Sequence, residues 1–164
     1  DGAAQEIFAK IDSGAHTSSI DEQLARNLGF SDAIDLFNAT QMPTFSTQKE
    51  AEVFAKELKK TLQKEHPSVA GVSVVTSSHG MSIRMNVRVR VVLSGREMIM
   101  TPNVYQRDHL TYPMLVGAID LGYYLLDPSK PVTQNIKEYR SRRKKEIEEA
   151  VHHEVSIEEI DRGE

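Results

Sequence analysis

The chain has 164 residues, 39% of them hydrophobic and 27% charged, a net charge of −4 and no cysteine. That length fits one domain able to bury a core without staples, and the absence of thiols excludes disulfides and cysteine-ligated metal. The acidic balance argues against nucleic acid as a general partner and no apolar run reaches membrane-spanning length, so neither nucleic acid nor membrane is expected and the expected location is cytoplasmic.

In chain order, Phe8 to Ile11 alternates apolar and polar residues and predicts a half-buried strand. It runs into Asp12, Ser13, Gly14 and Ala15, where the chain must turn sharply. Gly14 permits a backbone geometry that a Cβ obstructs, and the small Ser13 and Ala15 let other backbone approach the Asp12 carboxylate. Asp21 is placed to cap a helix with Leu24, Ala25 and Leu28 on one face, ended by Gly29. Phe30 to Phe45 mixes polarity around Pro43 and is expected to be loop. Thr47-Gln48-Lys49-Glu50 then has capping-box spacing, and Val53, Phe54, Leu58 and Leu62 predict a helix to about His66, stopped by Pro67. Its ordinary role is a buttress packed on a sheet; the alternative is a lid or docking surface.

From Val69 the pattern turns to strands: Val69 to Thr76, a turn over Ser77 to Gly80, and a long strand from Met81 to Leu93. Alternation puts Ile83, Met85, Val87, Val89 and Val91 on one face and Arg84, Asn86, Arg88 and Arg90 on the other. Ser94-Gly95 makes a hairpin into Arg96 to Met100, Pro102 ends that strand, and Val104 to Tyr112 reads as a loop with Arg107, Asp108 and His109. Met114 to Val116 is expected as an inner strand, Ala118 to Gly122 as a helical turn and Tyr123 to Leu126 as a last strand. Beyond Pro131 the chain becomes rich in Lys, Arg and Glu, predicting a solvated helix over Ile136 to Val151 and a frayed acidic tail from Ser156. The tally is a mainly β domain with a helical insertion at about 31–67, spanning 1–131, followed by a charged helical tail over 132–164; it matches a small closed β-barrel lobe.

Asp-Ser-Gly alone is an ordinary turn tripeptide. Its surroundings carry more: Ile11 before the acid, Ala15 after the glycine, then Thr17-Ser18-Ser19-Ile20 and Leu24-Ala25-x-x-Leu28-Gly29. This resembles the active-site strand of retropepsin-like aspartic peptidases. Tyr112 to Leu121 resembles the apolar-apolar-Gly segment that packs beside the acid-bearing loop in those peptidases, with Gly117 permitting the close approach. With Gly95-Arg96-Glu97, Gln106-Arg107 and Leu125-Leu126-Asp127-Pro128, the chain is similar to the bacterial family labelled ATP-dependent zinc proteases, from Glu6 to Ser129 apart from an insertion at Ser31 to Pro67.

The resemblance implies a retropepsin-like fold and hydrolysis of a peptide amide by two carboxylates that share a proton. Only one Asp-Ser-Gly is present, so the second carboxylate must be Asp12 of another copy in a homodimer, with Ser13 helping to hold the pair. Better understood family members trim oligoglutamate that an ATP-grasp ligase adds to a ribosomal protein, which implies an acidic peptide substrate and possible contact with such a ligase. Arg107 matches an arginine of the family motif. Arg84 and Arg88, from their strand face, are further candidates for substrate carboxylates, and His16 for the mouth of the site. Ala118 stands where the family usually has arginine.

The six histidines, His16, His66, His79, His109, His152 and His153, show no metal-ligand spacing, so neither metal nor other cofactor is expected. Asp35, Asp120 and Asp127 are alternative acids without a comparable setting. A non-catalytic dimerisation or binding module, docking an ATP-grasp partner through the insertion helix and tail, is the competing reading.

Overall fold

The structure is a computed structural model that describes residues 4–77, 80–129 and 134–161. Among the described residues eight strands and four α-helices follow one another: β1 (Ala9–Ile11), β2 (Ser19–Asp21), α1 (Glu22–Ala25), α2 (Ser31–Asn38), α3 (Gln48–Glu65), β3 (Val69–Ser77), β4 (Gly80–Val87), β5 (Val89–Leu93), β6 (Arg96–Met100), β7 (Asn103–Tyr105), β8 (Met114–Val116) and α4 (Gln134–Asp161). Six strands form one sheet in the order β1-β8-β2-β7-β4-β3, and β5 pairs with β6 as a separate hairpin.

The closed barrel expected from the sequence is not formed among the described residues. β1 and β3 are the two edges of the larger sheet, and each has one strand neighbour. The cause lies at Arg88, where the long strand expected from Met81 to Leu93 breaks. Val87 N–H donates to Pro102 O at 3.2 Å, and past that bond the chain leaves the large sheet to pair in the hairpin. Alternation survives the break, because Val87 and Val89 are both buried while Arg88 and Arg90 are exposed.

The start of the first helix is as its sequence dictates. Asp21 Oδ1 accepts from Gln23 N (3.0 Å) and Leu24 N (3.2 Å), the ordinary N-cap bonds. The helix ends at Gly29 as expected: its φ of 96° breaks the helical path within Arg26–Phe30, and a second helix, α2, starts just beyond it. The expected loop from Phe30 to Phe45 is therefore helical in its first half, and Ala33 and Ile34 are core residues.

α3 is capped by the predicted pair: Thr47 Oγ1 accepts from Glu50 N at 3.3 Å, while Glu50 Oε2 reaches one residue past the cap and accepts from Ser46 N at 3.0 Å. Its inner face is Ala51, Ala55, Leu58 and Leu62, while Val53 is 59% exposed. Leu58 and Leu62 join one core with Ile20, Leu24, Ile34, Val69, Met85, Val87, Val89, Met100, Met114 and Val116. The helix is thus a buttress, and truncating Leu62 to alanine should cost about 2–5 kcal/mol, the usual range for such cavities.

Three further expectations are corrected. Asn103–Tyr105 is a strand parallel to β2 that overlaps the start of the segment read as loop, Val104 to Tyr112. Tyr123 to Leu126 forms no strand; Leu125 is fully exposed, and Tyr124 OH donates to Leu93 O at 3.0 Å. The charged C-terminal segment is helical through Asp161, beyond the frayed start expected at Ser156, and its first turns are docked. Tyr139 OH donates to Thr111 O (3.0 Å), its ring lies 4.8 Å from Phe8, and Arg143 donates to Asp108 O (2.9 Å). The expected turn containing His79 lies outside the described residues. No helix among the described residues is long and apolar enough to cross a membrane.

Candidate active site

Asp12 sits where β1 ends. Its N–H donates to Val116 O at 3.0 Å, extending the parallel pairing of Ile11 with Val116 by one bond. The chain then turns: Gly14 N–H donates to Asp12 Oδ1 at 3.1 Å, and Ala15 N–H to Asp12 O at 3.2 Å. On the far side of the turn β2 pairs antiparallel with β8, Ser19 opposite Leu115. β8 therefore lies between β1 and β2, and residues 12–18 span its end.

Gly117, the first residue after β8, meets that span at very short range. A Cβ there would stand 2.6 Å from Thr17 C and O and 2.9 Å from Ala15 O, so only glycine fits without backbone movement. Three bonds fasten the contact: Gly117 N–H to Ser18 Oγ (2.9 Å), Ala118 N–H to Ala15 O (2.8 Å) and Ile119 N–H to His16 O (3.2 Å). Ser18, which is buried, donates in turn to Asp120 Oδ2 at 2.5 Å. Asp120 is thereby a brace of the loop rather than a rival acid. Asp35 pairs with Arg26 at 2.7 Å and Asp127 accepts from Ser129, so both are engaged elsewhere.

The Asp12 side chain is 27% exposed, and Lys10 Nζ lies 2.8 Å from its Oδ2. Two residues apart on a strand, the two side chains share a face. The Lys10 hydrogen bond holds the Asp12 carboxyl below its ordinary pKa, opposed by partial burial and helped by the lysine charge and the N–H groups of Gly14 and Ala15. Ser13 and His16 are exposed, and the Ser13 hydroxyl has no partner among the described residues. Within one copy, among the described residues, the carboxylate is held by Gly14 and Lys10.

The arginines separate. Arg107 is 7% exposed; its Nη1 donates to Ser19 Oγ (2.9 Å), its Nε to Tyr112 O (3.2 Å) and its backbone N–H to Asp21 Oδ2 (2.9 Å). It is a strut between β2 and the segment entering β8. Asp21 N–H bonds Pro113 O whereas Asp12 N–H bonds Val116 O, so the strut and the acid lie at opposite ends of β8. Burial pulls the Arg107 pKa below its ordinary value, against the charge of Asp21 and with that of Arg84.

Arg84 is half-buried, with its guanidinium 3.8 Å over the Tyr105 ring. Nη1 donates to Asn103 Oδ1 (3.1 Å) and Nε to Ser82 Oγ (3.2 Å). Asn103 Nδ2 donates to Ser18 O (2.8 Å), which links Arg84 to the acid-bearing loop through one residue. Among the described residues neither Arg84 nor Arg107 has a carboxylate within ion-pair distance. Arg88 is exposed at the strand break, and Arg90 pairs with Glu97 at 3.3 Å.

Sequence reasoning passed over Lys10, Asn103 and the bracing role of Ser18. Lys10 was legible in principle, since period-two spacing puts it beside Asp12; Ser18 and Asn103 meet Gly117 and Arg84 only through the fold. Among the described residues no three of His, Asp and Glu gather as a metal donor set; His79 and the side chains of His152 and His153 lie outside them. Chemically, the arrangement offers an accessible carboxylate, ion-paired with Lys10, on a loop fastened to the residues that follow β8. Comparison of the chain with protein-family models, curated proteins and solved structures finds no match.

Proposed function

We propose that the chain is a retropepsin-like aspartic hydrolase of peptide amides, independent of metal, acting as a homodimer in which Asp12 of each copy flanks the attacking water. One carboxylate takes a proton from that water as the water oxygen bonds to the carbonyl carbon, while the partner's protonated carboxyl gives its proton to the carbonyl oxygen. As the C–N bond breaks, the first carboxyl returns its proton to the leaving amine and the partner's carboxylate regains its proton from the hydroxyl. The reading rests on one observation: the Asp12 carboxylate stands accessible at a strand end, on a loop clamped across β8 by a contact that only Gly117 allows. Such clamping is what a catalytic carboxylate requires, because a displaced base loses rate steeply. With one Asp-Ser-Gly per chain, the second carboxylate of the pair comes from the second copy.

A glutamate-rich peptide is the substrate best matched to the surroundings. Arg84, without an internal carboxylate and one residue from the loop through Asn103, is the group to meet a substrate carboxylate, while Arg107 keeps the sheet in register. The test is cleavage of a poly-glutamyl peptide by the wild type and by Asp12→Asn, in the presence of chelator. A competing reading, a non-catalytic module that docks a partner such as an ATP-grasp ligase, draws on the exposed Tyr123, Leu125 and Leu126. It predicts association without turnover.

A further inference from the structure

Resting on the hydrolase reading, we propose that Lys10 is a second catalytic residue of the Asp12 site: its ammonium polarises the scissile carbonyl and stabilises the oxyanion, the task otherwise left to a proton shared between two carboxyls.

The geometry is direct. Lys10 and Asp12 point to the same face of β1, which is an edge strand, with Nζ 2.8 Å from Oδ2. Both are reachable, at 53% and 27% side-chain exposure. An ammonium has three protons, and the carboxylate bond is the one the Lys10 side chain makes among the described residues. The other two are available to a carbonyl oxygen brought beside the water that Asp12 activates.

Among the described residues nothing else nearby competes for the role. β8, the one strand paired with β1, carries Met114, Leu115 and Val116 and no titratable group. The loop itself brings His16, exposed, and the turn beneath brings Asp120, held by Ser18 Oγ. α4 reaches the segment leading into β1 with Tyr139 and Arg142, which line a cleft with Glu6, Ile7 and Phe8. Lys10 is the cation bonded to Asp12.

The step balances without a co-reactant. A water O–H proton goes to Asp12 as the oxygen bonds to the carbonyl carbon, and the carbonyl π pair becomes an oxyanion that Lys10 holds. The pair then returns as the C–N bond breaks and Asp12 gives its proton to the amine. Two bare carboxylates side by side must share a proton, which confines activity to the range where one is protonated. With an ammonium for each, both can be ionised, and turnover should persist through neutrality.

The experiment is the pH dependence of kcat/KM on a poly-glutamyl peptide for the wild type, Lys10→Met and Lys10→Arg, with thermal unfolding of each. The expected result is a wild type active through neutral pH and a Lys10→Met variant that still folds, its melting lowered by no more than an exposed ion pair contributes. That variant should lose about a hundredfold at neutral pH, the size usual for one oxyanion donor, and lose much less in acid, where a proton can be shared. Lys10→Arg should recover part of the neutral activity. A Lys10→Met profile that matches the wild type, or one that drops equally at every pH, overturns the proposal while leaving the hydrolase reading in place. A wild type without turnover at any pH overturns both.

Discussion

Gly117 lies so close to Thr17 that a Cβ would stand 2.6 Å from the Thr17 carbonyl carbon and oxygen. The atoms in the way are backbone, so a side chain can be admitted only by moving the loop that carries Asp12. Gly117→Ala should therefore destabilise the chain by about 3 kcal/mol, at the upper end of overpacking costs, and remove turnover even where the chain is still folded. Denaturant unfolding and the peptide assay read the two effects separately.

Arg107 is expected to matter for stability and not for substrate affinity. Removing its side chain frees buried Ser19 Oγ and Tyr112 O from a charged donor. Arg107→Ala should cost about 2–4 kcal/mol, in the range for hydrogen bonds to a buried charge. Arg107→Lys should not restore it, since an ammonium cannot reproduce the guanidinium fork that reaches both acceptors. Urea unfolding gives the cost, and KM on the folded fraction should stay near the wild-type value.

Arg84 is expected to behave in the opposite way. Arg84→Gln should raise KM for a glutamate-rich peptide about tenfold, the worth of one charge-assisted contact, and leave KM for a neutral peptide unchanged. An equal effect on both peptides would remove Arg84 from substrate recognition.

The Lys10–Asp12 pair sets a sign for pH. The folded-state pKa of Asp12 is depressed, chiefly by its hydrogen bond from Lys10. Its contribution to stability is therefore present above the unfolded carboxylate value, about 3.9, and lost as pH falls through the lower folded value. Carbon-detected NMR should show Asp12 titrating below an ordinary aspartate. In Lys10→Met the midpoint should rise, and high salt should move it the same way, because the pair is exposed enough for ions to screen it.

Much of the fold was legible because its signals are local. Thr47 and Glu50 mark the start of α3 by their own chemistry, Ser94-Gly95 marks the hairpin, and the alternation from Ile83 to Val91 marks the buried face even across the break at Arg88. Where the pairing changes while the buried side stays the same, periodicity cannot see the change. α2 was hidden because Phe30 stands at its N-cap position with no side-chain cap, so no start signal exists. β7 is three residues long, too short for a period. In the site, Asp12 and Gly117 were legible as residue types at meaningful places. The bracing by Ser18 and Asp120 was not, since it joins positions about a hundred residues apart. The burial of Arg107 was equally hidden, because a guanidinium that props a sheet and one that meets a substrate look the same in sequence.

Hydrolysis by paired Asp12 carboxylates is tested most directly by one assay: cleavage of a poly-glutamyl peptide by the wild type, by Asp12→Asn and by a mixture of the two in which subunits exchange, with chelator present. Turnover by the wild type, none by Asp12→Asn, and activity in the mixture that falls faster than the wild-type fraction is the predicted result. Full turnover by Asp12→Asn, or activity that tracks the wild-type fraction linearly under confirmed exchange, would contradict it.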